Sequence, residues 1–281
     1  MESVAIVGVG LIGGSFGLAL RSQGFAGPIL GVSSSGAIQA ALELRAISAR
    51  STLEEAVESA DLVYLAQPVD RILSTIEQLS AAVASRVRRR PILVTDAGST
   101  KLRIVQHASR FLPPNCFLGG HPMAGKERSG VEVAEAGLFQ NRPYVLTPGA
   151  GFSHPFEPAF RKWLNVLGTR VISLDAAEHD RVVAFTSHLP QLLSTALAAT
   201  LESASDPLLS ELHGTGLLDM SRLALSSSSL WSSIIATNRE CILSAIAAFS
   251  TELEAIREAV ERDSLSTSFV RANTFSAALR K

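Results

Sequence analysis

Three observations in this chain of 281 residues predict an α/β fold, a doubly wound parallel sheet followed by an all-helical half. Short β-branched runs alternate with helical stretches of about ten residues through the first half. The glycine signature Gly8-Val9-Gly10-Leu11-Ile12-Gly13 falls between the first strand and the first helix. Strand signals stop after Leu174. Strands separated by helices are the pattern of a sheet covered on both faces.

The elements follow in order. Val4–Val7 is an apolar run ended by Gly8 and reads as a buried strand, with the helix Ser15–Gln23 after it. Strands are expected at Ile29–Val32, Leu62–Ala66, Ile92–Thr95 and Cys116–Gly119, then at Tyr144–Leu146 and Val171–Leu174. Helices are expected at Ala37–Ala46, Asp70–Val83 and Lys101–Phe111. Later, Asp180–Leu201 and Leu230–Arg262 are long helical patterns rich in small and apolar residues, with Ser226–Ser229 as a loop and cap before Trp231. The boundary is placed in Gly149-Ala150-Gly151, giving units 1–150 and 151–281. The first unit extends to about residue 175 if Val171–Leu174 closes its sheet.

Composition narrows the function classes. The chain is 47% hydrophobic and 18% charged, with a net charge of −1. A small charged surface suggests apolar area hidden between subunits, so a homodimer through the helical half is expected. The basic run Arg86-Val87-Arg88-Arg89-Arg90 is read as a solvated helix end rather than a nucleic-acid site. Cys116 and Cys241 lack metal-ligand spacing and are expected to be free thiols in a reducing compartment. No metal site, signal segment or membrane span is expected, which points to the cytoplasm.

The glycine signature, in its strand-turn-helix setting, is that of a Rossmann-like dinucleotide site. Gly8 turns the chain, Gly10 lets a pyrophosphate approach and Gly13 lets helix and strand pack, with Leu11 and Ile12 of the same signature counted among the cofactor-binding residues. Gln67 and Pro68 fall at another strand end and complete the expected cofactor set. After the second strand, Ser33-Ser34-Ser35 stands where an NAD site usually offers a carboxylate. Three hydroxyls suit a 2′-phosphate, so NADP is favoured over NAD, although no Arg lies nearby in sequence. Gly119-Gly120-His121-Pro122-Met123-Ala124-Gly125 places His121 on a loop at a strand end, and His188 follows in Ser187-His188-Leu189-Pro190. A hydride acceptor beside a group that exchanges a proton near neutral pH is the minimum needed to oxidise an alcohol.

These motifs, with Asp96–Lys101, Asp180, Gly214–Arg222 and Leu230-Trp231 through Asn238, resemble those of the prephenate/arogenate dehydrogenases of tyrosine biosynthesis. The resemblance implies a Rossmann domain with a helical dimerisation domain, and oxidative decarboxylation of prephenate or arogenate. It makes His121 the catalytic base and Ser99 its hydrogen-bonding partner or that of the reacting hydroxyl. His188 becomes the residue that positions substrate, and Arg222 the anchor for a substrate carboxylate. Lys126 and Glu127 are placed on the loop beside the pocket. Ser233 and Thr215 depart from the family pattern without touching these positions. Plainer roles stay open: Ser99 as a helix cap, His188 as a satisfied interior group, and Arg222 in an ion pair with Asp219. Two rival functions are another two-domain dehydrogenase, of β-hydroxyacid dehydrogenase or imine reductase type, and a non-catalytic NADP sensor. The first would place Lys or Asn where Ser187–Pro190 stands, and the second has no need of His121 and Arg222 together.

Overall fold

The computed structural model describes residues 1–126 and 128–280. An eight-stranded sheet has the order β3-β2-β1-β4-β5-β6-β7-β8. Its strands are β1 (Val4–Val7), β2 (Ile29–Val32), β3 (Ala49–Arg50), β4 (Leu62–Leu65), β5 (Leu93–Asp96), β6 (Phe117–Pro122), β7 (Pro143–Thr147) and β8 (Arg170–Ser173). Helices α1 (Leu11–Ser22), α2 (Ser35–Glu43), α3 (Leu53–Ser59), α4 (Val69–Arg86), α5 (Leu102–Phe111) and α6 (Glu157–Val166) cover its two faces. One face packs Ile6, Phe16, Leu20 and Tyr64, with the Phe16 and Tyr64 rings stacked at 4.2 Å. The other packs Val63, Leu65, Ile72, Ile76 and Ile104. The sheet thus extends to Ser173.

Two local departures from the sequence reading have physical causes. Every strand pair is parallel except β6 with β7, which is antiparallel. Among the described residues between them the only helical element is the 3₁₀ turn Val131–Val133, and without a helical crossover there the chain returns in the opposite direction. That pairing extends β6 two residues past Gly120, so His121 lies in a strand opposite Val145 and not on a loop. The basic run is also more than a solvated helix end. Arg86 is buried and donates to the carbonyls of Glu58 and Ala60, while Arg89 pairs bidentately with Glu58 and Arg90 pairs with the buried Asp61. The run therefore clamps the α3–β4 turn.

The helical half comprises α7 (Ala176–Val183), α8 (Leu189–Ser203), α9 (Leu208–Glu211), α10 (Thr215–Ser221), α11 (Ser228–Thr237), α12 (Arg239–Glu261) and α13 (Ser266–Ala278). A π turn at Ala184–His188 joins α7 to α8. Pro190 supplies no N–H to the preceding turn and its ring crowds that turn's carbonyl, which favours the widened bulge. Ala176–Ser203 as a whole is long and apolar enough to cross a bilayer, but His179, Asp180, His188 and Gln191 on it are buried against protein. The expected helix Leu230–Arg262 is broken at Asn238, whose φ of −132° ends α11. Apolar burial in this half is sparse: Ala184, Ile242 and Ala245 form its buried cluster, and side chains such as Leu253, Phe269 and Phe275 stand exposed.

Candidate active site

The sheet changes direction at β1, which has β2 on one side and β4 on the other, so a crevice opens beyond the carboxyl ends of these strands. A cleft of 910 Å³ occupies it, lined by Gly8, Gly10, Ser33, Ser34, Gln67 and Pro68 among others. A Cβ on Gly13 would collide with the Gly8 carbonyl, whereas beside Gly10 the space is open. The first turn of α1 carries no acidic residue, so its free amides face the open cleft without a competing charge. A dinucleotide pyrophosphate fits this cradle. Leu11 and Ile12 sit in that first turn, α1 starting four residues earlier than expected. Gln67 is held by Thr75 Oγ1, which donates to its Oε1 at 2.9 Å. Ser35 begins α2 and is not among the lining residues.

Beyond the cleft, His121 is buried at the end of β6. Its Nδ1 lies 2.8 Å from His179 Nε2, and His179 Nδ1 lies 2.8 Å from Asp180 Oδ1. Asp180 also accepts from the backbone N–H groups of Lys101 at 2.6 Å and Leu102 at 2.9 Å. The carboxylate therefore caps α5 from the far half of the molecule, a task for which Ser99 was the local candidate. Ser99 itself is half-buried just before that helix start. Beneath, Lys101 is fully buried; its ammonium pairs with Asp96 and donates to the Gly120 carbonyl at 2.7 Å. Asp96 in turn accepts from the N–H of Gly120 at 3.1 Å and of Gly98 at 2.8 Å. The residue before His121 is thus held at both its amide and its carbonyl. His188, also buried, faces the Trp231 ring edge-on at 5.8 Å, and Asn238 Nδ2 donates to His188 Nδ1 at 3.3 Å and to the Asp180 carbonyl at 2.7 Å.

Two family models match the chain: "Prephenate dehydrogenase, nucleotide-binding domain" over residues 16–172 and "Prephenate dehydrogenase, dimerization domain" over residues 175–272. The chain belongs to the prephenate dehydrogenase family. The prephenate dehydrogenase of Bacillus subtilis is 32% identical over 267 residues, 93% of this chain and 71% of that one. Prephenate dehydrogenase of Aquifex aeolicus, solved with hydroxyphenyl propionate and NAD+, is 31% identical. It aligns with a TM-score of 0.89 over 100% of this chain and 99% of its own. Synechocystis arogenate dehydrogenase is 28% identical and aligns at 0.79 over 99% and 98%.

The hydrogen-bond chain fixes proton positions in this member of the family. A carboxylate oxygen accepts, so the Nδ1 of His179 is the donor and its Nε2 carries the lone pair. His121 must then donate from Nδ1, which leaves its Nε2 as the available base. His188 accepts from Asn238 at Nδ1 and so bears its proton on Nε2, which makes it a donor and not a second base. Burial holds His121 well below the usual imidazole range, with the charges of His179, Lys101 and His188 acting in the same direction. Burial lowers His179 as well and pushes His188 down to about 4. His121 therefore exchanges its proton on the acid side, not near neutral pH as its residue type suggests.

These shifts set a stability profile. Between pH 6.5 and about 4 the unfolded chain protonates His188 and the folded chain does not, and His121 and His179 act with the same sign. The Tm should be insensitive to these groups above pH 6.5. Below it, stability should fall by about 1.4 kcal/mol per pH unit for each histidine held neutral. Scanning calorimetry from pH 7.5 to 4.5 checks this, and a Tm constant through that range would contradict the neutral cluster.

Of the remaining sequence candidates, Arg222 opens the 3₁₀ turn Arg222–Leu225 and is exposed. Gln191 Nε2 donates to the Leu223 carbonyl at 2.8 Å, and Ser194 Oγ accepts from Ala224 N at 3.0 Å, docking that turn on α8. Lys126 is tied to the Val133 carbonyl and to Glu135, both at 2.9 Å, which makes it a strut of its own loop. Glu127 lies outside the described residues. Sequence reasoning gave no role to His179, Lys101, Asp96 or Asn238. The adjacent pair His179-Asp180, an imidazole next to a carboxylate, was the available signal.

Proposed function

We propose that this protein oxidises a cyclohexadienol, prephenate or arogenate, with loss of carbon dioxide in tyrosine biosynthesis. The observation that carries the reading is the Asp180–His179–His121 chain, which ends in an imidazole nitrogen at the same end of the sheet as the dinucleotide cleft. A nicotinamide cofactor held in the cleft by Gly8, Gly10, Ser33, Ser34, Gln67 and Pro68 would supply the acceptor for the hydride of the carbinol carbon. His121 Nε2 takes the hydroxyl proton as that hydride leaves, giving a dienone. The bond to the ring carboxylate then breaks, its electron pair aromatises the ring, and the phenolate oxygen recovers the proton from His121. Donation from His121 Nδ1 to His179, itself bonded to Asp180, orients the ring and stabilises the imidazolium while it holds that proton. His188 Nε2–H donates to substrate, Ser99 hydrogen-bonds the reacting hydroxyl, and Arg222 holds a carboxylate, which a guanidinium can grip bidentately.

NADP is the preferred cofactor in this reading, because Ser33 and Ser34 line the cleft without an Asp or Glu beside them on the β2–α2 loop. Steady-state assays with prephenate and arogenate, each with NADP and NAD, test both statements. Turnover of at least one substrate and a higher kcat/KM with NADP are expected. Tight NADP binding without turnover of either substrate would make the protein a sensor, and a higher kcat/KM with NAD would reverse the cofactor preference.

The protein acts as a homodimer in the same reading. Its helical half matches a dimerisation domain and leaves Leu253, Ile256, Val260, Phe269 and Phe275 exposed on α12 and α13. Apolar surface on this scale is what an obligate interface covers. Light scattering at micromolar concentration should give twice the chain mass, and a monomer there would rule the assembly out.

A further inference from the structure

The β2–α2 loop has no Arg in sequence, but the fold brings one to it. Arg71 is the third residue of α4, just past Pro68, and lines the same cleft as Ser33 and Ser34. It is the only basic group among the described residues lining that cleft. The one acidic group there, Glu132, folds back over Gly130 on another stretch of the lining. Arg71 Nε lies 3.9 Å from the neighbouring Asp70 carboxylate, an exposed pair of little strength that leaves both terminal nitrogens for another partner. Ser34 is the N-cap of α2 but makes no side-chain cap bond, and that helix has no acidic residue in its first turn. A hydroxyl that a helix start does not use therefore lines the same cleft as a cation that its neighbour barely holds.

We propose that Arg71 is the specificity-determining residue for the adenosine end of the cofactor, forming with Ser33 and Ser34 a subsite for its 2′-phosphate. The inference rests on the NADP reading above and adds the residue that enforces it. A phosphate monoester dianion takes two parallel N–H bonds from a guanidinium, with serine hydroxyls and the α2 amides completing its shell. The exposure of Arg71 fits a group that the ligand itself covers. Stacking on the adenine face is the other use of a guanidinium at such a place, and it does not distinguish the two cofactors.

Calorimetric titration with adenosine 2′,5′-bisphosphate and with adenosine 5′-monophosphate separates these cases without turnover. Wild-type protein should bind the bisphosphate more tightly. Arg71→Gln should reduce that preference by about 10–100-fold, the range of a lost charge-assisted hydrogen bond. Arg71→Lys, which keeps the charge without the fork, should fall between. The NADP-to-NAD ratio of kcat/KM should drop in parallel. Equal weakening of both ligands in Arg71→Gln would assign Arg71 to adenine stacking, and an unchanged preference would remove it from the subsite. Either result overturns the proposal while the wild-type preference for the 2′-phosphate stands. A wild-type protein indifferent to the 2′-phosphate overturns the NADP reading itself, and the subsite with it.

Discussion

His121→Asn should lower kcat by about 10²–10⁴, the range for loss of a general base, while NADP affinity changes little. The side chain keeps its approximate shape and can still donate to His179, but no lone pair remains where the Nε2 of His121 stood. The cofactor cleft is built from β1, the β2–α2 loop and the start of α4, and does not include residue 121. Arg222→Gln should act differently, chiefly raising KM, because attraction of a carboxylate is present in ground and transition states alike. In wild-type protein, kcat/KM should be flat with respect to His121 through neutral pH and fall only on the acid side, since burial keeps the ring unprotonated there. Near-normal kcat in His121→Asn would remove the base assignment. An Arg222 variant with unchanged KM would remove the carboxylate assignment.

Lys101→Met should be the most damaging single change to stability, costing about 3–5 kcal/mol. The ammonium is fully buried and pairs with an equally buried Asp96, so its removal strands a carboxylate beneath the active site. The Gly120 carbonyl loses its donor at the same time. Thermal unfolding should register this as a drop of roughly 6–20 °C in Tm. Asp96→Asn/Lys101→Met, which removes both charges, should recover a large part of that loss. If the double variant is no more stable than Lys101→Met, the cost comes from packing rather than from an unpaired charge. In both proteins the Gly120 carbonyl, one residue before His121, lacks its Lys101 donor, so kcat should fall even where folding is restored.

Much of the fold was legible because its signals are local. Val4–Val7 with Gly8 and the helix after it announce themselves within twenty residues, and the strand ends at Gln67 and Asp96 follow from the same alternation. His121 was legible by its motif, although its place inside a strand was not, because that depends on pairing with Val145 more than twenty residues later. The rest of the site is built from contacts that no local pattern encodes. Asp180 caps a helix 78 residues upstream of it. Lys101 looks like an ordinary charge at the start of an amphipathic helix, yet it is fully buried. Asn238 interrupts what periodicity alone reads as one long helix, and its side chain reaches back 58 residues to the Asp180 carbonyl. Arg71 lines the same cleft as the serine loop only because β4 lies next to β1 in the sheet.

The cap that Asp180 places on α5 bears on when the protein becomes competent during synthesis. His121 and the cofactor cleft belong to the sheet, which is complete at Ser173, but the groups that orient His121 emerge later, on α7. Asn238, which holds both Asp180 and His188, emerges later still. A nascent chain can therefore own a nucleotide pocket well before it owns an aligned base. The same carboxylate that aligns the base also supplies the missing acceptor for two α5 amides, so docking the helical half and arming the histidine are a single event.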